Sequence, residues 1–374
     1  MNAAHFAEQA TLGSLLLDSS SMPEITGWLR PEDFAHPWHQ SVYSVIRERH
    51  QGGASVDPMS VGHAMTERLG HRRADLPRML TLLHAAPVLP RPRQYASMVL
   101  ASSLRREVAG HGVLLQAAAM AASMEGHSRP ITRITALVDA ALGAAEQRWS
   151  AAIRPSAATP IKPDGSPADA SLRDTAVSAD RFLQAHPRLD HEYIADREEE
   201  LVAALVSHPS HVYQVATWLR PDTVTNPAWR PVYAALVQLT ELGDPVDVVT
   251  VAWEVHRTSA RLGQGPGTRE LREAVDLAAA TDPRYLARVV AGDHLQLIAA
   301  QGAGALRTAA ANPGLDLVDV LHTGHLINDT LRDTARGMPD HATQAPPVRH
   351  LSVARGVEPR RSAPQLGLTG PVAG

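Results

Sequence analysis

The 374-residue chain has no cysteine and a single lysine. Without cysteine there is no disulfide, no thiolate nucleophile and no cysteine-held zinc. The lysine, Lys162 in "PIKPDGS", has no glycine at the required spacing before it and no Ser or Thr after it. The G-x-x-x-x-G-K-[ST] loop that cradles nucleotide phosphates is therefore excluded. Aromatics make up only 4% of residues, and the abundance of alanine favours helix over sheet. No run approaches the roughly 18 uncharged apolar residues of a membrane-spanning helix. The first residues, MNAAHFAEQATLG, lack the basic-then-apolar order of a signal peptide. A cytoplasmic protein without membrane partners is expected, and association with the nucleoid is compatible with that.

A large basic excess is also missing. Residues 1–150 carry 14 basic against 13 acidic side chains, 151–336 carry 17 against 24, and 337–374 carry 4 against 2. A protein that grips duplex DNA through its phosphates would show a broad positive excess. Contact with DNA is thus expected to be weak and indirect.

What the chain does have is an internal repeat. "WLRPEDFAHPWHQSVY" at 28–43 returns as "WLRPDTVTNPAWRPVY" at 218–233. The offset of 190 holds without a gap from Glu8/Glu198 through Leu15/Leu205, Pro37/Pro227, Tyr43/Tyr233, Gly53/Gly243 and Asp57/Asp247 to Tyr95/Tyr285. So many matches at one offset mark a duplicated domain. Each copy reads as helical. Leu12, Leu15 and Leu16, then Val42, Val45 and Ile46, have the spacing of one helix face. "GG" at 52–53 stops a helix and Asp57-Pro58 restarts the chain as N-cap and first helical residue.

Beyond Tyr95 and Tyr285 each copy turns into a helical hairpin. Val108, Gly112, Leu115 and Ala119 form a heptad-like seam in the first arm, and Ile298, Gly302, Ala305 and Ala309 are the aligned residues of the second copy. Small residues at these positions let another helix come close. Ile131, Ile134, Val138, Ala141 and Ala145 repeat the rhythm in the second arm, answered more weakly by Val320, Ile327 and Leu331. The expected organisation is a first domain at 1–150, a flexible Pro/Ala/Ser-rich linker at 151–190 with a short helix near "ADRFLQA", a diverged second domain at 191–336, and a disordered tail at 337–374.

No set of nucleophile, base and orienting group stands out, so no catalytic residue and no cofactor is assigned. Pro37 breaks the helix that would align His36 with His39, and His39 aligns with Trp229; these histidines read as surface or packing residues, and no metal is expected. Glu32 and Asp33 follow Pro31, where acidic side chains cap a helical turn, and only Asp222 answers them in the second copy. Trp28, Trp218, Tyr43 and Tyr233 alternate with aliphatics and read as core rather than as base-stacking platforms. Arg30 and Arg220 remain as candidates for polar recognition.

"AEQATLGSLLLD", "LRPEDFAHPWHQSVYSVI" and "GGASVD" together resemble the N-terminal domain of DnaB-type replicative DNA helicases. The resemblance spans about residues 5–149, and again, more weakly, about 197–336, where the first helix reads "REEELVAALV" without the Leu-Gly pair and Phe34 becomes Val224. It implies an all-α fold: two tandem helical bundles, each with a helical hairpin. Members of that family continue into a RecA-like ATPase with a P-loop; a second N-terminal-type domain stands there instead, so unwinding and ATP hydrolysis are not carried over. The resemblance implies hairpin-mediated self-association and docking with replicative helicase or primase. Val108, Gly112, Leu115, Ala119, Ile134, Val138, Ile298, Gly302, Ala305, Ala309, Arg30 and Arg220 are the expected contact residues. A linker of about 40 residues reaches roughly 30–40 Å and would hold the halves at an effective concentration of roughly millimolar. Two competing readings are a regulatory nucleic-acid binder using Arg30, Arg220 and the tail arginines Arg349, Arg355, Arg360 and Arg361, and a decayed helicase relative without preserved activity.

Overall fold

The computed structural model describes residues 3–154, 167–186, 190–259, 265–278 and 280–338. Among them there is no strand. The first copy builds α1 (Ala3–Leu17), α2 (Pro37–Gln51), α3 (Pro58–Leu69), α4 (Leu76–Ala85), α5 (Pro92–Glu125) and α6 (Arg129–Ile153). Next comes α7 (Pro167–Ala185). The second copy builds α8 (His191–Ser207), α9 (Arg230–Leu242), α10 (Val248–Ser259), α11 (Thr268–Ala278), α12 (Pro283–Ala311) and α13 (Leu317–Arg336). Each helix α1–α6 thus has its counterpart seven labels later, and α3 and α10 agree to the residue at the offset of 190.

Local chemistry sets these boundaries in both copies. Asp57 accepts the Ser60 N–H at 2.9 Å and Asp247 accepts the Thr250 N–H at 2.9 Å, so the same N-cap opens α3 and α10. Gly243 ends α9 in the left-handed conformation at φ 73°, which a residue with a Cβ adopts only with strain. Tyr43 and Tyr233 are fully buried, and each hydroxyl donates to a carbonyl fourteen residues earlier, Leu29 O at 3.4 Å and Leu219 O at 2.8 Å. Trp28 is also buried. These rings are core, as their alternation with aliphatics suggested.

In each copy a small bundle packs on the base of a two-helix hairpin, α5–α6 or α12–α13. Gly13 shows why the first bundle is tight: a Cβ there would lie 1.9 Å from Leu82 O, so α1 meets the backbone of α4 directly. The aligned residue of the second copy is Ala203, fully buried, so the glycine is not kept there.

The segment between the copies differs from expectation. Residues 167–185, expected to be flexible apart from a short helix near "ADRFLQA", form the 19-residue α7, which lies along α5 and α6. Leu172 and Ala179 are buried with Leu114 and Ala117 of α5, flanked by Ala176, Phe182 and Leu183. The four-, three- and four-residue steps between these positions make one apolar helical face, which the Pro- and Ser-rich opening of the segment hides from a composition reading. The remaining linker residues 155–166 and 187–189 and the tail from 339 onward, with its four arginines, lie outside the described residues. Within the expected tail, Gly337 and Met338 are described, and Met338 is buried.

Candidate functional site

The two hairpins pack on each other within one chain. α5 lies along α12 and α6 along α13, with α13 also touching α5. The order is antiparallel: Ser123 faces Gly292, Gly112 faces Ala303, and Arg105 reaches Ala309 and Asn312. Partner numbers fall on one helix as they rise on the other.

Glycine makes this approach possible. A Cβ on Gly112 would sit 3.2 Å from Ala303 Cα, one on Gly292 would sit 2.5 Å from Ser123 Oγ, and one on Gly324 would sit 2.9 Å from Leu142 Cδ2. Close backbone contact brings more atoms into van der Waals range, each worth only about 0.1–0.2 kcal/mol but numerous along two long helices. Polar groups then fix the register. Buried Asn328 donates to the Thr135 carbonyl at 3.0 Å. Arg105 donates to the carbonyls of Ala309 at 3.4 Å and Asn312 at 2.9 Å and to that of Leu315, satisfying the C-terminal end of α12. His325 sits between Asp139 (3.4 Å) and Glu146 (3.3 Å), and Arg332 approaches Asp139 at 3.6 Å.

Most expected seam residues lie inside this packing. Val108, Gly112, Leu115, Ala119, Val138 and Ala309 are buried within the chain; Ile134 and Ile298 are half-buried against the core. Two positions fall elsewhere. Gly302 faces Ile327 of its own hairpin, with a would-be Cβ 2.7 Å from Ile327 Cγ2. Ala305 is exposed. The buried stripe of α12 runs instead through Leu295, Ala299, Ala303, Leu306 and Ala309. The aligned glycines Gly112 and Gly302 thus do different work, one opening the contact between copies and the other closing a hairpin, so a seam copied by alignment is rotated by one residue.

Arg30 is half-buried, and its backbone N–H donates to Asp33 Oδ2 at 2.7 Å. Arg220 is exposed, 3.4 Å from Asp222. Asp33 caps its turn as expected and does more. It is fully buried, accepts from Ser103 of α5 at 2.9 Å and pairs with buried Arg148 of α6. Arg148 Nε also donates to the Trp28 carbonyl at 3.1 Å, and Arg106 donates to the Asp33 carbonyl at 2.6 Å. Arg148 was missed because nothing in "EQRWS" marks its arginine as buried, and its partner lies 115 residues away.

Beneath α7, a cleft of about 390 Å³ opens beside this network, between Glu32, Phe34, Arg106, Glu107, Leu114 and Arg173. Arg173 pairs with Glu107 and donates to the Glu32 carbonyl at 3.1 Å, tying α7 to the bundle.

Two buried carboxylates occupy comparable places in the copies. Glu8 accepts from Ala35 N at 2.6 Å, while Glu198 accepts from Thr225 N at 2.9 Å and Asn226 N at 2.6 Å. Burial alone would raise the Glu8 carboxyl, but hydrogen bonds from His39 and the Ala35 N–H outweigh it and hold the group below its ordinary value. At Asp293 burial wins: the carboxyl is raised although Arg197 pairs with it at 2.8 Å.

The DnaB-like helicase N terminal domain family matches residues 1–101 and 190–291. The replicative DNA helicase DnaB of Mycobacterium leprae (strain TN) is 31% identical over 107 residues, which are 28% of this chain and 18% of the relative. The chain thus corresponds to less than a fifth of that relative's length. No solved structure matches the chain. Among the described residues no helix is long and apolar enough to cross a membrane.

Proposed function

The chain belongs to the DnaB-like helicase N-terminal domain family, with the domain present twice, and on that footing we propose that it is a non-catalytic replication adaptor. It presents two docking domains as a preassembled pair to a replicative helicase, a primase or both. The observation that carries this reading is the antiparallel packing of α5–α6 on α12–α13. The apolar seam that would otherwise drive self-association is covered inside one chain. That leaves the two small bundles, with half-buried Arg30 and exposed Arg220, to offer docking surfaces. Two linked sites bind a multivalent ring with the second contact made intramolecularly. We place it in the cytoplasm, at sites of DNA replication.

Size-exclusion chromatography with light scattering, on mixtures with the helicase and the primase of the same organism, tests this. A complex with either is expected, weakened several-fold by Arg220→Glu. Elution of every component at its own mass would sink the proposal.

A further inference from the structure

Beyond protein docking, the first bundle contains a cluster that the adaptor reading leaves unused. His5 and Glu8 stand three residues apart on α1, and His39 lies on α2 facing them. One ligand atom from each, a ring nitrogen of either histidine and a carboxylate oxygen of Glu8, lie within 4.8 Å of one another. The rings of His5 and His39 stack with centroids 5.0 Å apart.

His39 is fully buried, its Nδ1 is 2.6 Å from Glu8 Oε2, and its Nε2 is buried without a hydrogen-bond partner. Nδ1 is taken up by the Glu8 carboxylate, which leaves Nε2 as the ring nitrogen open to a ligand. A buried polar atom with no partner is costly. A carboxylate that fixes the tautomer of a histidine and leaves the opposite nitrogen free is the usual outer arrangement of a histidine metal ligand. His36, with its ring 4.8 Å from that of His39, is already engaged at both nitrogens: Nδ1 accepts the Trp38 N–H at 3.1 Å and Nε2 faces Arg78 at 3.2 Å.

We propose that His5 and His39 bind a borderline divalent cation of the zinc class, with Glu8 orienting His39 and water completing the coordination. Imidazole donors select zinc, nickel, copper or cobalt over magnesium and calcium, which prefer oxygen. The site belongs to the first copy alone. At the aligned positions the second copy has Ala195 for His5, Trp229 for His39 and Asn226 for His36, while Glu198 persists as a loop anchor. Bound metal would clamp the first turn of α1 to the start of α2.

Titrating the untagged full-length chain with zinc chloride by calorimetry, and with cobalt by visible absorption, tests the assignment. One saturable equivalent is expected, weakened at least tenfold in His5→Phe, which keeps a ring against His39 but removes the nitrogens. Glu8→Gln is expected to weaken it 10- to 100-fold. His63→Ala, an exposed histidine 3.1 Å from Glu67, leaves it unchanged. The thermal midpoint of the parent chain rises with zinc, and that of His5→Phe does not. Binding of equal strength in the parent and His5→Phe, or no saturable equivalent in the parent, would overturn the proposal.

Discussion

The two copies solve one architectural problem with different cores. In the first, Asp33 and Arg148 form a buried ion pair where the bundle meets its hairpin, with Ser103 completing the shell. At the aligned positions the second copy has Thr223, Met338 and Asp293. Met338 is buried, and Asp293 turns to Arg197 instead. Two charges taken out of water regain their solvation only through good geometry, and an apolar replacement of similar volume is often as stable. The second copy carries half-buried Thr223 and buried Met338 in the places of that pair. The comparison teaches that backbone caps, tyrosine anchors and a buried loop-holding glutamate are common to both copies, while the Asp33–Arg148 pair belongs to the first alone.

The largest effect is expected from breaking the pair on one side. Arg148→Ala leaves Asp33 buried without its cation and should destabilise the first copy by about 3–5 kcal/mol. Transplanting the solution of the second copy, Asp33→Thr with Arg148→Met, should recover most of that loss. Urea unfolding of the two variants checks the difference, and equal midpoints would refute the equivalence of the two cores.

Gly13→Ala comes next. Its Cβ would meet the Leu82 carbonyl, and overpacking of this kind costs about 1–3 kcal/mol. The mirror change, Ala203→Gly, should cost only about 1 kcal/mol, the ordinary helix penalty. Hydrogen exchange over α1 and α8 separates the two.

A pH effect of intermediate size follows from Glu8. Its carboxyl is lowered on folding, so its stabilisation is complete above the unfolded value near 4.5 and is lost as pH falls below it. Protection of α1 should therefore decline in acid below pH 4.5, and Glu8→Gln should flatten that decline. The smallest effect is expected from Arg220→Ala: the pair with Asp222 is exposed on both sides, and its loss should shift stability by less than about 0.5 kcal/mol. A larger shift in thermal midpoint would show that Arg220 supports the fold rather than facing a partner.

Much of the fold could be read without coordinates, because it rests on local rules. The aspartates Asp57 and Asp247, Gly243 at its left-handed position, and the buried tyrosines Tyr43 and Tyr233 all carry their roles within a few residues of sequence. The hairpin seam was legible as small and apolar, and its true register was not. A heptad rhythm marks which face avoids water; it does not say which helix covers that face, so Gly302 and Ala305 were misplaced by one step around α12. His39 raises the same difficulty, since its meaning depends on Glu8 and His5, more than thirty residues earlier.

Sequence alone therefore determined the duplication, the helical class and the absence of a P-loop, all of which follow from periodicity, capping and spacing along the chain. Tertiary structure decided that the hairpins cover each other inside one chain, that α7 seals the outer face of the first, and that Asp33 finds Arg148. These are contacts between distant segments. They depend on backbone approach distances and on the loss of water around charges, quantities that exist only once the helices have been brought together.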